Sequence, residues 1–271
     1  MIALKGKTLV VTTNDVQKKL KIILEEKGVS VICADVFDKS IKEHIKDCKN
    51  IILPFPSKAE KFSFLADREK LSDYLNKEQL VIGGLFTDEV VSDIEKSGAE
   101  CIDYFKYEPY VLKNAFITSQ GALRLLLDTT DDFVVGKKVL ITNFGRIGKS
   151  LAFMLKAIGM KVFVAVRSEK AVTEAFSSGF DVFRISQMHG TLFYYDYIFN
   201  TVPEMIFISE HVKHIRKDAY YFELASYPFG ADKADFEVAG RHFINGNALP
   251  GRYFPKAVAE NIAEFIFSSG R

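Results

Sequence analysis

The stretch VLITNFGRIGKSLAFMLKAIGMKVFVAVRS, residues 139–168, reads as strand, tight turn, helix and second strand. Its turn, Asn143-Phe144-Gly145-Arg146-Ile147-Gly148, sits where a GxGxxG fingerprint belongs, directly after a strand and opening a helix. In that fingerprint one glycine makes the turn, one lets a pyrophosphate approach the backbone, and one lets helix pack on strand. Gly145 and Gly148 fill the last two roles, and Asn143 replaces the first glycine. Asparagine tolerates positive φ better than most residues, so the replacement is compatible with the turn. The helix N-terminus behind it offers backbone N–H groups and a positive dipole end to phosphate. With Ala157-Ile158-Gly159-Met160 turning into the second strand, all six residues of the fingerprint are expected cofactor contacts.

A phosphate loop is the competing reading, since Asn143-x4-Gly148-Lys149-Ser150 is one residue away from GxxxxGK[ST]. The next strand follows after only about a dozen residues and no apolar run ending in Asp offers a magnesium ligand, so the dinucleotide reading is preferred. The end of the second strand then chooses the cofactor. NAD sites place Asp or Glu there to bond the adenosine ribose, whereas this chain has Val166 followed by Arg167 and Ser168. A cation beside a hydroxyl suits a 2′-phosphate, and NADP is therefore the expected cofactor. Loops beyond the carboxyl ends of the later strands line the crevice in which such sheets bind ligands. Here they are Asn200-Thr201-Val202-Pro203 and Glu223–Gly230, which add Thr201, Val202, Pro203 and Ala225 to the expected contacts.

Working outward, strand-like runs continue at Asp181–Phe183, Tyr197–Asn200, Tyr220–Ala225 and His242–Ile244, with helices between them and a closing helix over about Phe254–Phe267. Six strands with crossovers match a Rossmann-type sheet. The first half alternates in the same way: strands near Thr8–Thr12, Val29–Ala34, Asn50–Leu53, Leu80–Gly83 and Glu100–Tyr104, and helices after the N-cap Asn14 and over Thr87–Ser97. A long helix, about 109–127, leads to the acidic stretch Asp128–Asp132. The expected fold class is α/β, with two doubly wound parallel-sheet domains joined by long helices. An N-terminal flavodoxin-like domain, 1–131, stands on the substrate side, and a Rossmann domain, 132–271, includes the closing helix, which is free to pack back across the first. The length of 271 residues, about 1.8 ordinary domains, agrees.

Composition narrows the function. Lys+Arg (36) and Asp+Glu (35) nearly cancel, so no global field favours a nucleic acid. No apolar run reaches membrane-spanning length, and the opening MIALKGKTLVVTT falls too early into strand pattern for a signal peptide. Cys33, Cys48 and Cys101 lack paired spacing and read as free thiols of a reducing cytoplasm. His211 and His214 are three residues apart without a third ligand nearby, and no metal is expected. There are 24 Phe and no Trp; most of the Phe reads as core, but Phe55, Phe144 and Phe229 fall on cleft loops where a flat ring could be sandwiched.

Several stretches together carry a family resemblance: NAFITSQG (Asn114–Gly121), the NFGRIG turn, VRS (Val166–Ser168), NTVP (Asn200–Pro203), LASYP (Leu224–Pro228) and ALPGRYFPKAVAENI (Ala248–Ile262). The chain resembles the dehydrogenase subunit of dipicolinate synthase over most of its length, most closely from Asn114 onward. The resemblance implies a two-domain, NADP-linked dehydrogenase that works with a separate, flavoprotein-like second subunit of the synthase. The product would be pyridine-2,6-dicarboxylate, the calcium chelator of the spore core, made from the cyclic product of the lysine pathway; a homo-oligomer is expected. A dicarboxylate needs cations or donors, and Arg252 and Lys256, with Thr118, Ser119 and Ser226, are the candidates. Three positions depart from the family: Asn143 and Phe229 stand where it has glycine, and Gln120 replaces the Glu of a T-x-E-G pattern. Glutamine cannot act as a base.

The nucleotide segment is also close to that of the D-2-hydroxyacid dehydrogenases. Those enzymes align an Arg, a Glu and a His on the substrate carbonyl, but the loop that should supply the Arg reads ELASYPFG and no His stands in a matching late position. A second alternative is a non-catalytic NADP-binding or scaffold protein, for which Gln120 is the clue.

Overall fold

The computed structural model describes residues 4–57, 62, 65 and 69–268. In the first half, β1 (Thr8–Thr12), β2 (Val31–Asp35), β3 (Asn50–Ile52), β4 (Leu80–Gly83) and β5 (Glu100–Asp103) alternate with α1 (Asp15–Glu26), α2 (Ile41–Asp47) and α3 (Asp88–Lys96). Asn14 starts α1 as expected: its side-chain oxygen accepts the Val16 N–H at 2.9 Å, which satisfies one of the first-turn donors. Val16, Leu20 and Leu24, four apart, form the buried stripe of α1. The strands are all parallel in the order β2-β1-β3-β4-β5, the flavodoxin-like arrangement. With helices to cover both faces, β1 is buried at every residue, which is why TLVVT is continuously apolar or small rather than alternating.

α4 (Glu108–Thr129) leads into a second sheet of β6 (Lys138–Thr142), β7 (Lys161–Val166), β8 (Asp181–Arg184), β9 (Tyr197–Asn200), β10 (Tyr220–Glu223) and β11 (His242–Asn245). Between these strands lie α5 (Arg146–Ala157), α6 (Glu169–Ser177), α7 (Ile185–Met188), α8 (Ser209–Lys213) and α9 (Lys233–Ala239); α10 (Leu249–Tyr253) and α11 (Pro255–Ser268) close the chain. The parallel order β11-β10-β9-β6-β7-β8 is the doubly wound Rossmann order, and it reverses between β6 and β9. That switch point opens a crevice beyond the carboxyl ends of the strands.

Two compact units result, one of residues up to Asn114 together with those from Pro250 onward, the other Ala115–Leu249. The sequence-based division at 131/132 is corrected in two respects. The first unit keeps only the start of α4, the rest of which joins the second unit, and it takes α11 as well. Val258, Ala259, Ile262 and Ile266 give α11 an apolar stripe, and the helix packs on α1. The Asn261 amide donates to the Tyr110 carbonyl at 3.0 Å, tying α11 to the first turns of α4. Nearby, Tyr104 is buried with its ring 4.6 Å from that of Tyr110 and 6.1 Å from that of Phe265. Burial pushes the Cys101 thiol up to about 11, so it is protonated at neutral pH. Among the described residues no helix is long and apolar enough to cross a membrane.

Candidate functional site

β6 ends at Thr142, and the next residue, Asn143, adopts φ +70°. Its N–H donates to the Ala165 carbonyl at 2.7 Å, and its own side-chain oxygen accepts the Phe144 N–H at 3.0 Å. That local side-chain bond gives asparagine a way to hold the left-handed turn that glycine holds by lacking a Cβ. Gly145 is the N-cap of α5 and supplies no side chain to the first-turn donors. At Gly148 a Cβ would collide with the Asn143 carbonyl oxygen, so only glycine lets α5 lie this close to the end of β6. A bare, uncapped helix N-terminus against a turn without bulk fits a pyrophosphate. Phe144 faces inward instead: it is buried, edge-on to Phe180 with ring centroids 5.5 Å apart. The expectation that its ring walls a cleft is corrected; only its backbone belongs to the turn.

Beyond β7, Arg167 and Ser168 are both exposed. Ser168 caps α6, its oxygen accepting the Ala171 N–H at 3.2 Å. Arg167 Nη1 lies 2.5 Å from Glu204 Oε2, and this guanidinium holds the Glu204 carboxyl below the usual carboxylate range. A second guanidinium, missed by sequence reasoning, comes from the end of β8. Arg184 donates to the Arg167 carbonyl and pairs with Glu169 at the start of α6. The strand pairing brings it there: β8 neighbours β7 in parallel register with Arg184 opposite Val166.

The loops after β9 and β10 hang on a buried polar network. Thr142 Oγ1 donates to Asn200 Oδ1 at 2.6 Å, and Thr201 returns a bond to the Thr142 carbonyl, also at 2.6 Å. The Asn200 amide donates to the Val202 carbonyl at 2.9 Å and to Glu223 Oε1 at 2.7 Å. Glu223 is 1% exposed and accepts three more bonds, from the N–H of Ala225 and Gly230 and from the Tyr221 hydroxyl, at 3.0, 2.9 and 2.8 Å. Burial pushes its carboxyl up from the usual range, and these hydrogen bonds hold the rise back. Above Glu223 opens a cavity of about 370 Å³ at the carboxyl ends of β10 and β11, walled by Met205, Tyr227, Phe229 and Phe243 and edged by Lys233 and Asn247. Phe229 holds φ +66°, the left-handed region, which explains why glycine would be the easier residue there.

The expected substrate residues divide. Ser119 is fully buried, with its hydroxyl 2.9 Å from the Ala115 carbonyl and 3.1 Å from that of Ile147. It joins α4 to α5, a packing role, which corrects the expectation that it donates to substrate. Thr118 is buried beside it, while Gln120 and Ser226 are exposed. Arg252 and Lys256 belong to the other unit, where the Arg252 guanidinium lies 5.0 Å from the Tyr253 ring centre and Lys256 lies 3.7 Å from Glu260. Phe55, also in that unit, stacks on Phe105 at 5.0 Å. His211 stacks on His189, centroids 3.3 Å apart.

Residues 127–222 match the family model described as D-isomer specific 2-hydroxyacid dehydrogenase, NAD binding domain, and a nicotinamide-dinucleotide-binding domain is present there. The resemblance to dipicolinate synthase stands: the chain is 25% identical to the A subunit of the Bacillus subtilis synthase over 165 residues, 61% of this chain and 56% of the relative. The aligned stretch thus spans little more than half of that relative's length. Solved structures of the same synthase component share the fold: that of Bacillus halodurans at a TM-score of 0.83 and 18% identity, covering 97% of both chains. The one from Bacillus subtilis matches at a TM-score of 0.82 and 19% identity, covering 99% of this chain and 97% of the other.

Proposed function

We propose that the chain is the NADP-linked dehydrogenase component of a dipicolinate synthase, acting in the cytoplasm during endospore formation. Its substrate is the dihydrodipicolinate of the lysine pathway, and its partners are the flavoprotein-like second component of the synthase and a second copy of itself. The observation that carries the reading is the pairing of the NFGRIG turn, with Asn143 at φ +70° and Gly148 against its carbonyl, with two guanidinium groups at the ends of β7 and β8. The first supports a bound pyrophosphate, and the second an adenosine carrying a 2′-phosphate. The similarity to the Bacillus subtilis synthase supports the choice of substrate.

When bound, nicotinamide supplies a hydride acceptor, and the dihydropyridine ring that gives up a hydride and a proton becomes aromatic. The contribution of the chain is placement. Residues Asn143–Gly148 hold the pyrophosphate, Arg167, Ser168 and Arg184 the adenosine end, and Thr201–Pro203 and Ala225 the crevice side. Thr118 and Ser226 remain the proposed donors to a substrate carboxylate from the unit that carries the fingerprint turn. The expected result is dipicolinate absorbance appearing when the protein, with its flavoprotein-like partner, meets the dihydro intermediate and NADP. No product with or without that partner overturns the enzymatic reading.

One observation favours a second reading, a protein that binds NADP without turning over. Gln120 is exposed on α4 and its amide takes no proton from the ring. NADPH binding without product beside the flavoprotein-like partner, or turnover raised by Gln120→Glu, would support it.

A further inference from the structure

The adenosine end of this site already contains an anion. β7 ends in Val166, so the strand itself presents no acidic residue to the ribose. A carboxylate nevertheless stands there: Glu204, from the loop after β9, lies 2.5 Å from Arg167 Nη1. The neighbouring cation, Arg184, is matched in the same way by Glu169. Each of the two guanidinium groups thus already has a carboxylate partner. A phosphomonoester, which carries nearly two negative charges near neutral pH, gains less from a guanidinium that is already paired and is repelled by any carboxylate that stays.

We infer that Glu204 is a specificity-determining residue that occupies Arg167 in place of the cofactor's 2′-phosphate, so that NADP binds by exchanging one anion for the other. This rests on the NADP reading above. The exchange is feasible because the Arg167 and Glu204 side chains are 50% and 61% exposed, so neither is held by packing and each is rehydrated when the pair opens. Arg184 stays at the adenosine end without taking part in the exchange. Bonded to the Arg167 carbonyl, it fixes the backbone from which Arg167 reaches out, and it stays put while the Arg167 side chain changes partner. NAD, which offers only a ribose hydroxyl, has no anion to exchange, so the Arg167–Glu204 pair persists when it binds. Glu204 therefore narrows the preference of Arg167 for NADP over NAD without touching the rest of the dinucleotide.

The test is a fluorescence titration of NADPH and NADH against the wild type, Glu204→Gln, Arg167→Ala and the double variant, with melting temperatures as a folding control. Removing an exposed competing ion pair is expected to tighten NADPH by about two- to five-fold. NADH is expected to stay within about two-fold of wild type, and the NADPH gain to vanish in the Arg167→Ala background, since the two residues then no longer interact. Unchanged NADPH affinity in Glu204→Gln overturns the inference. So does weakened NADH, which would make Glu204 the acceptor of the ribose hydroxyl. Failure of the NADP reading shows separately, as a wild type that prefers NADH, because the effect of Glu204 is read as a difference between two proteins.

Discussion

Replacing Glu223 with glutamine tests whether the buried network, rather than the fingerprint turn alone, holds the crevice loops. The carboxylate accepts four bonds, two on each oxygen: from the Asn200 amide and Ala225 N–H on Oε1, and from the Tyr221 hydroxyl and Gly230 N–H on Oε2. Glutamine has one acceptor oxygen. With that oxygen toward Asn200 and Ala225, the new NH₂ faces the Gly230 N–H and the Tyr221 hydroxyl. The hydroxyl can turn and accept; the Gly230 N–H cannot. One buried backbone donor is stranded, at about 1–3 kcal/mol. Opposing this, a buried charge disappears, and the raised native pKa of Glu223 shows that its ionisation disfavours the fold. The stranded donor outweighs this at neutral pH, because the four bonds already offset much of the burial. The expected net loss is therefore smaller than the cost of the stranded donor, about 1 kcal/mol, a fall of roughly 3–5 °C in the midpoint for the Ala115–Leu249 unit.

The pH dependence separates the two effects. A carboxyl with a raised native pKa keeps its proton in the folded state at pH values where the unfolded chain has lost it. Wild-type stability from this group is therefore full below the ordinary carboxylate range and falls as pH rises through the native pKa. Glutamine does not titrate. The gap between wild type and Glu223→Gln should be widest near pH 4 and narrow towards neutral, as followed by denaturant unfolding in the two proteins. A gap that stays constant or widens with pH, or a variant as stable as wild type at pH 7, refutes the reasoning. NADPH affinity measured on the folded variant should fall too, because the Val202 carbonyl shares the Asn200 amide with Glu223.

Gly148→Ala places a Cβ on the Asn143 carbonyl oxygen; α5 must retreat, and NADPH binding by fluorescence titration should fall at least about ten-fold while the fold persists. Ser119→Ala removes a buried hydroxyl between α4 and α5; stability should drop by about 1 kcal/mol in urea with NADPH affinity of the folded fraction unchanged. Phe229→Gly relieves a left-handed side chain but adds backbone freedom, two effects of about 1 kcal/mol each, so the melting temperature should barely move. Its mark should be on the 370 Å³ cavity, read as a changed KM for substrate with NADPH affinity intact.

What the sequence made legible follows the range of the interactions. Asn143 could be read as a stand-in for glycine because the turn satisfies itself: the side chain bonds the very next N–H. Asn14 was legible for the same reason, its bond reaching only two residues ahead. The parallel sheets of both halves followed from alternation alone, since parallel strands need helical crossovers and crossovers have one hand. Ser119 was misplaced because a hydroxyl looks the same on a substrate-facing and a helix-facing side. Only the approach of Ile147 twenty-eight residues on decides between them. α11 shows the same limit, since PKAVAENIAEFIF announces an apolar face but not that α1 receives it. Glu204 and Arg184 went unread for a sharper reason. The rule applied to the end of β7 asks what residue stands at that position, and Val166 answered it. The chemistry of the position is set by its neighbours in space, one seventeen and one thirty-seven residues downstream of Arg167. A rule of cofactor choice confined to one strand end is therefore incomplete in this chain. It does not see the carboxylate that another loop brings to Arg167.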